Sequence, residues 1–136
     1  MKGFCLVVAC LVFVAGCAKE DSTLVVRDFA GDVVATGDLQ IPDHWPSAGQ
    51  SFEGRWQLKS SSGSFPATSV RSGKYSGKVD GQGVSIDLNP GAFDNSVVLS
   101  GSITNGLLSG KWYHVTIAGG REMGAFSLTR PTGHAR

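Results

Sequence analysis

Short runs of alternating apolar and polar residues, cut at close intervals by glycine, constrain this chain more than any other feature. Side chains on a strand point alternately to opposite faces, so each run carries one apolar face that must be covered. Of the 19 glycines, 16 lie between Gly31 and Gly124, between and within these runs, and no helical period is sustained after residue 17. Strands are expected over 23–29, 33–39, 51–59, 69–79, 84–89, 96–104, 107–117 and 122–130. Eight strands suffice to close a small barrel. The expected fold is therefore all-β, a single small antiparallel up-and-down β-barrel, with a β-sandwich as the alternative.

Hairpin register follows from asking which loop length sets apolar residues opposite apolar residues, because a one-residue slip sends every side chain to the other face. With Gly81-Gln82 as a two-residue turn, Val79 faces Val84, Gly77 faces Ile86 and Tyr75 faces Leu88. Glycine in the first turn position suits type II′. Asn105-Gly106 is the strongest short hairpin signal, since both central residues of a type I′ turn take positive φ. It sets Ile103 against Leu108, Gly101 against Gly110 and Leu99 against Trp112. Around Ala118-Gly119-Gly120 a three-residue loop is expected, setting Phe126 against Trp112 and Leu128 against Gly110. The segments Tyr75-Ser76-Gly77-Lys78-Val79 and Leu99-Ser100-Gly101-Ser102-Ile103 resemble one another, and each leads into a tight turn.

The start of the chain follows a different logic. Lys2 supplies a positive charge, and Gly3 to Val14 form an apolar run without a charge. The run is shorter than the roughly 20 residues needed to cross a bilayer and ends in small residues, so it reads as a cleaved export signal. Val14-Ala15-Gly16-Cys17 resembles the bacterial lipobox, in which two small residues precede a cysteine that receives a diacylglyceryl group before cleavage. Valine stands where leucine is commoner. The resemblance implies a bacterial lipoprotein with a signal peptide over 1–16 and palmitate-type acyl chains on Cys17, enough lipid for a stable membrane anchor. Ala18 stands where an aspartate would retain a lipoprotein in the inner membrane. That implies an outer-membrane location facing the periplasm.

Cys5 and Cys10 lie in the discarded segment and Cys17 is consumed by lipid, which leaves no disulfide or thiolate chemistry. Of the 12 Lys and Arg, Lys2 is also discarded, so basic residues then match the 11 acidic ones. Neither sign is concentrated, which argues against nucleic acid as a partner. About 120 residues remain after Cys17, enough for one domain with a real core. They divide into a lipidated tether over 17–22 and a barrel domain over 23–136. The barrel comprises a hairpin (23–39), a linker with Pro42 and Pro46 (40–50), a meander (51–130) and a tail (131–136). The five residues between Cys17 and the first strand reach roughly 17 Å, holding the domain close to the bilayer.

Gly54-Arg55-Trp56 on an early strand, the glycine-rich hairpins and the last strand Phe126-Ser127-Leu128-Thr129-Arg130 resemble the lipocalin and avidin superfamily of barrels. The resemblance covers roughly Phe52 to Arg130. It implies that Trp56 closes the barrel floor and that Arg130 packs across its ring, a cation–π contact without chemistry. A complete hairpin before Gly-x-Trp departs from the usual order of that family.

Chemistry-bearing constellations are scarce. His44, His114 and His134 have no ligand spacing, no Gly-x-Ser-x-Gly elbow occurs and no carboxylate pair stands out. No catalytic residue, metal site or cofactor is proposed, and the chain reads as a non-enzyme. A binding site would be built on the inward face, where the register places Tyr75, Trp112, Phe126 and Leu99 with Gly77, Gly101 and Gly110 between them. His114 lies on the same face near a rim, and Arg71 shares the parity of Tyr75. These residues outline a cup for a small apolar or aromatic ligand, with Arg71 and His114 as polar contacts at its mouth. The competing reading takes the aromatics as ordinary core, the glycines as sites of strand bending and Arg71 as turned outward by a bulge.

Asp43-His44-Trp45-Pro46 puts a tryptophan in a proline-bounded loop, free to touch a partner, dip into lipid or fold back over the barrel end. Two functions follow from these readings. One is a membrane-anchored lipoprotein whose barrel carries a small molecule. The other is a structural or protein-interaction lipoprotein of the cell envelope without a ligand, its protein partner unspecified.

Overall fold

The computed structural model describes residues 19–62, 65–66, 71–92 and 94–130. The expected signal peptide, Cys17, His134 and the tail 131–136 lie outside the described residues, as do Ser69 and Val70 of the fourth expected strand. Eight strands follow one another: β1 (Lys19–Asp28), β2 (Val33–Pro42), β3 (Ser51–Ser61), β4 (Ser72–Asp80), β5 (Gly83–Asp87), β6 (Ser96–Thr104), β7 (Leu107–Thr116) and β8 (Gly119–Thr129). Each pairs antiparallel with its neighbours in chain order, and β8 returns to β1. The fold is a closed up-and-down barrel, which sets the sandwich aside. Closure removes the exposed sheet edges that an open sheet would leave.

The N-terminal hairpin is part of the wall. β1 sets Leu24 opposite Leu128 and Val26 opposite Phe126 on β8, so the last strand is held by the first. β1 begins at Lys19, four residues earlier than expected, and β2 runs on to Pro42. The expected tether and linker each give up residues to strand, because Glu20 pairs with Ile41 and Asp21 with Gln40.

Two turns adopt the chemistry expected of them. Gly81 takes φ +60°, Asn105 +52° and Gly106 +76°. Val79 then faces Val84, Gly77 faces Ile86, Ile103 faces Leu108, Gly101 faces Gly110 and Leu99 faces Trp112. The third hairpin differs from expectation. Its loop is the two-residue Ile117-Ala118, with Thr116 opposite Gly119. A two-residue loop alone mismatches the faces, and a β-bulge beside Trp112 restores them by adding Met123 to β8. Gly110 therefore faces Phe126, Leu108 faces Leu128 and Trp112 faces Gly124.

Tyr75 does not pair with Leu88 either. β5 stops at Asp87, whose carboxylate accepts the Asn89 backbone N–H at 2.9 Å and the Ser96 hydroxyl at 2.5 Å. These bonds turn the chain away and leave Ser72 to Tyr75 of β4 without a ladder on the β5 side. The Trp56 indole fills the notch from inside, its Nε1 donating to the Leu88 carbonyl at 2.8 Å.

Candidate functional site

Tyr75, Trp112, Phe126 and Leu99 face inward and are buried, as the register requires. They do not line an open cup. Phe65, from the loop after β3, is itself buried and lies tilted against Trp112 with ring centroids 5.4 Å apart. The Trp112 Nε1 donates to the Arg27 carbonyl at 2.7 Å. The glycines leave no room: a Cβ at Gly77 would lie 2.3 Å from the Phe52 ring, one at Gly101 2.1 Å from the Ser109 carbonyl oxygen, and one at Gly110 2.2 Å from that of Ser100. The space that glycine vacates is taken by a ring or by the facing backbone.

The polar mouth is not assembled either. Arg71 is exposed, its guanidinium 3.4 Å from the Lys59 carbonyl, and its own carbonyl accepts the Leu58 N–H. His114 sits at the rim with Nε2 2.8 Å from Asn95 Oδ1, a contact that ties β7 to the loop after β5. Asn95 holds φ +62° there, a conformation asparagine tolerates better than most residues.

Arg130 does not pack across Trp56. Its guanidinium stands 5.9 Å from the Trp45 ring centroid and donates to the Pro42 carbonyl at 3.0 Å. Trp45 meets Phe52 edge-on, and Phe52 meets Tyr75 edge-on, at 5.7 and 5.8 Å between centroids. The 43–50 loop thus folds back over the barrel end that carries the start of β1. The cation–π pair has moved to this plug because Trp56 points to the opposite part of the interior, where the β4–β5 notch needs filling. Phe29 and Ile117, at turns of the far end, are 74% and 82% exposed.

The Tyr75 hydroxyl marks a seam in the wall. The β2–β3 ladder ends at Leu39 opposite Trp56, so Gln40 to Pro42 and Glu53 to Arg55 run on without bonding one another. Tyr75 reaches into the gap from inside and donates to the Gln40 carbonyl. Gly54 permits this, since a Cβ there would lie 2.7 Å from the Tyr75 ring and 2.9 Å from the Gln40 oxygen.

Burial pushes the Tyr75 phenol well above its ordinary pKa of 10.0. The raised value keeps the folded state neutral, so its stabilising effect is present below the unfolded pKa and is lost as pH rises. Above pH 10.0 the unfolded chain ionises while the folded one does not, and stability should fall by about 1.4 kcal/mol per pH unit. The chain has two tyrosines. In a Tyr113→Phe background the tyrosinate absorbance should therefore appear together with unfolding, and Tyr75→Phe should remove the alkaline slope. Tyrosinate forming while the barrel remains folded would contradict this burial.

Outside the same seam the wall is concave. A groove of about 500 Å³ is lined by Asp21, Asp38, Gln40, Arg55, Gln57 and Ser72, with Trp56 and Gly73 at its base. It adjoins a hollow of about 140 Å³ at Glu53 and Lys74 and one of about 310 Å³ at the β4–β5 notch. Asp38 pairs with Lys59 at 3.3 Å. The side chains of Asp21, Gln40, Arg55, Gln57 and Ser72 have no hydrogen-bond or ion-pair partner among the described residues. Sequence reasoning looked only inward and missed this site. The alternation that put these residues outside was visible, but the broken ladder that makes them concave was not. Among the described residues, no three His, Cys, Asp or Glu stand together as a metal site.

The architecture defines a class, the small closed eight-stranded antiparallel barrels. No family model, curated protein or solved structure matches the chain.

Proposed function

We propose that this chain is a lipid-anchored envelope protein whose barrel is a solid scaffold that works through its outer surface. The observation that carries this reading is the filled interior. Trp56, Tyr75 and Trp112 each spend their polar atom on a backbone carbonyl, and ring or backbone occupies the positions that glycine opens. Carriage of a small apolar ligand inside would require displacing these side chains. The structural or interaction reading therefore stands above the carrier.

The anchor rests on Val14-Ala15-Gly16-Cys17 and on sequence distance. With β1 beginning at Lys19, two residue steps separate it from Cys17, a reach of roughly 7 Å. The end plugged by Trp45 would then face the bilayer, and Phe29 and Ile117 would face away from it. Ala18, standing where an aspartate would retain a lipoprotein in the inner membrane, supports an outer-membrane site facing the periplasm.

The lipid-labelled chain should incorporate radioactive palmitate and fractionate with membranes, and Cys17→Ala should lose both. Native mass spectrometry of the purified protein should show no small molecule that survives gentle conditions and leaves on denaturation. A reproducible adduct of that kind would restore the carrier reading. Palmitate labelling that persists in Cys17→Ala would remove the anchor.

A further inference from the structure

From the outer groove at the β2–β3 seam we infer a binding site for a saccharide chain rich in hydroxyl and amide groups. The inference deepens the proposed function, from which it takes only that the outer wall is the working surface. Three observations converge on it. The first is shape: the ladder stops at Leu39 and Trp56, the strands part, and Tyr75 seals the gap from inside, leaving a depression outside rather than a hole. The second is unspent bonding capacity, since Asp21, Gln40, Arg55, Gln57 and Ser72 present carboxylate, amide, guanidinium and hydroxyl groups with no partner among the described residues. The third is charge: Asp21 and Asp38 are set against Arg55, with Lys59 already on Asp38 and Lys74 and Glu53 alongside.

That mixture selects among ligand classes. A phosphate or nucleic-acid strand needs clustered cations, and the groove alternates signs. An apolar ligand needs apolar lining, which is scarce here. A peptide added as a strand needs a long free backbone edge, whereas the free edges are Gln40 to Pro42 and Glu53 to Arg55, and Tyr75 already occupies the Gln40 carbonyl. Neighbouring hydroxyls of a sugar match what remains. A carboxylate accepts from two of them, a guanidinium donates in a fork, and a primary amide both donates and accepts, as an acetamido group requires. Trp56 and Gly73 floor the groove, but Trp56 is only 5% exposed, so the contacts offered to a ligand are those of the polar rim.

The test titrates the detergent-solubilised lipidated chain with chitotetraose, an uncharged oligosaccharide carrying hydroxyl and acetamido groups, by isothermal calorimetry. Saturable binding is expected, weakened at least tenfold in Arg55→Ala/Gln57→Ala and again in Asp21→Ala. Lys111→Ala, on the opposite wall where Lys111 pairs with Glu122 at 2.7 Å, should bind as the parent does. These side chains all point outward, and circular dichroism would confirm that each variant is folded. Absence of saturable binding, or equal binding by the groove variants, would overturn the inference. Co-sedimentation with purified cell-wall sacculi against vesicles bearing lipopolysaccharide separates two natural sources of the same chemistry. Palmitate labelling reads the anchor independently, so failure of the groove and failure of the anchor are distinguishable.

Discussion

Trp112→Ala is expected to destabilise the barrel by about 3–5 kcal/mol, the cost of emptying a large buried aromatic site. Trp112 is 1% exposed, carries the tilted Phe65 ring and donates past β8 to the Arg27 carbonyl of β1. Alanine removes all three contributions at once and leaves a polar carbonyl beside a cavity. A domain of this size has roughly 5–15 kcal/mol in total, so urea unfolding should shift to a much lower midpoint with an unchanged slope. Trp112→Phe separates the causes, because it retains most of the ring while losing the N–H. It should cost less than alanine, and what it costs beyond the lost ring volume reports the Arg27 bond, about 1–3 kcal/mol if that carbonyl stays dry. A Trp112→Ala protein that unfolds near the parent midpoint would mean that Trp112 lines an open space, and the carrier reading would return.

How much of this was legible in the sequence depends on the range of the interaction concerned. The β4–β5 and β6–β7 hairpins were readable because their register is set locally, by Gly81 and by Asn105-Gly106, and is reinforced by apolar residues facing one another. The β7–β8 hairpin was not, because parity was correct while the shorter loop and the one-residue bulge at Met123 together left the pairing two residues from the expected one. Alternation cannot distinguish a three-residue loop from a two-residue loop plus a bulge, since both keep Phe126 and Leu128 on the inner face. Closure by β1 was also beyond local reading. It depends on Leu24 and Val26 meeting Leu128 and Phe126 from the other end of the chain.

The candidate site shows the same division. Inward parity identified Tyr75, Trp112 and Phe126 as interior residues, yet parity says nothing about whether an interior is empty. That was decided by Phe65 and Phe52, which arrive from a loop and a neighbouring strand, and by backbones approaching at Gly101 and Gly110. Arg130 was expected on Trp56 and stands on Trp45 instead, because the 43–50 loop folds over the end where β8 finishes. The outer groove exists because one ladder stops three residues short of where β2 ends in a bonded pair with β1.

The most conspicuous glycine in the sequence should not be the most important one. Gly106 completes the Asn-Gly turn, takes φ +76° and has open space where a Cβ would go. Gly106→Ala should therefore cost only the local strain of a left-handed alanine, about 1 kcal/mol. Gly110 has no unusual φ, but its Cβ would lie 2.2 Å from the Ser100 oxygen and 2.4 Å from the Gly101 Cα. Both obstacles are backbone, so no rotamer change relieves them, and β6 and β7 must move apart. In an open sheet an edge strand could shift outward, but in a closed barrel β7 is held by β8 on its other side. Overpacking in such a site costs about 3 kcal/mol or more. Thermal unfolding of the two alanine variants should thus show a small shift for Gly106→Ala and a large one for Gly110→Ala. Gly101→Ala should match the second, because its Cβ would meet the Ser109 oxygen at 2.1 Å. The reverse ranking would mean that turn chemistry, rather than the close crossing of β6 and β7, limits the stability of this barrel.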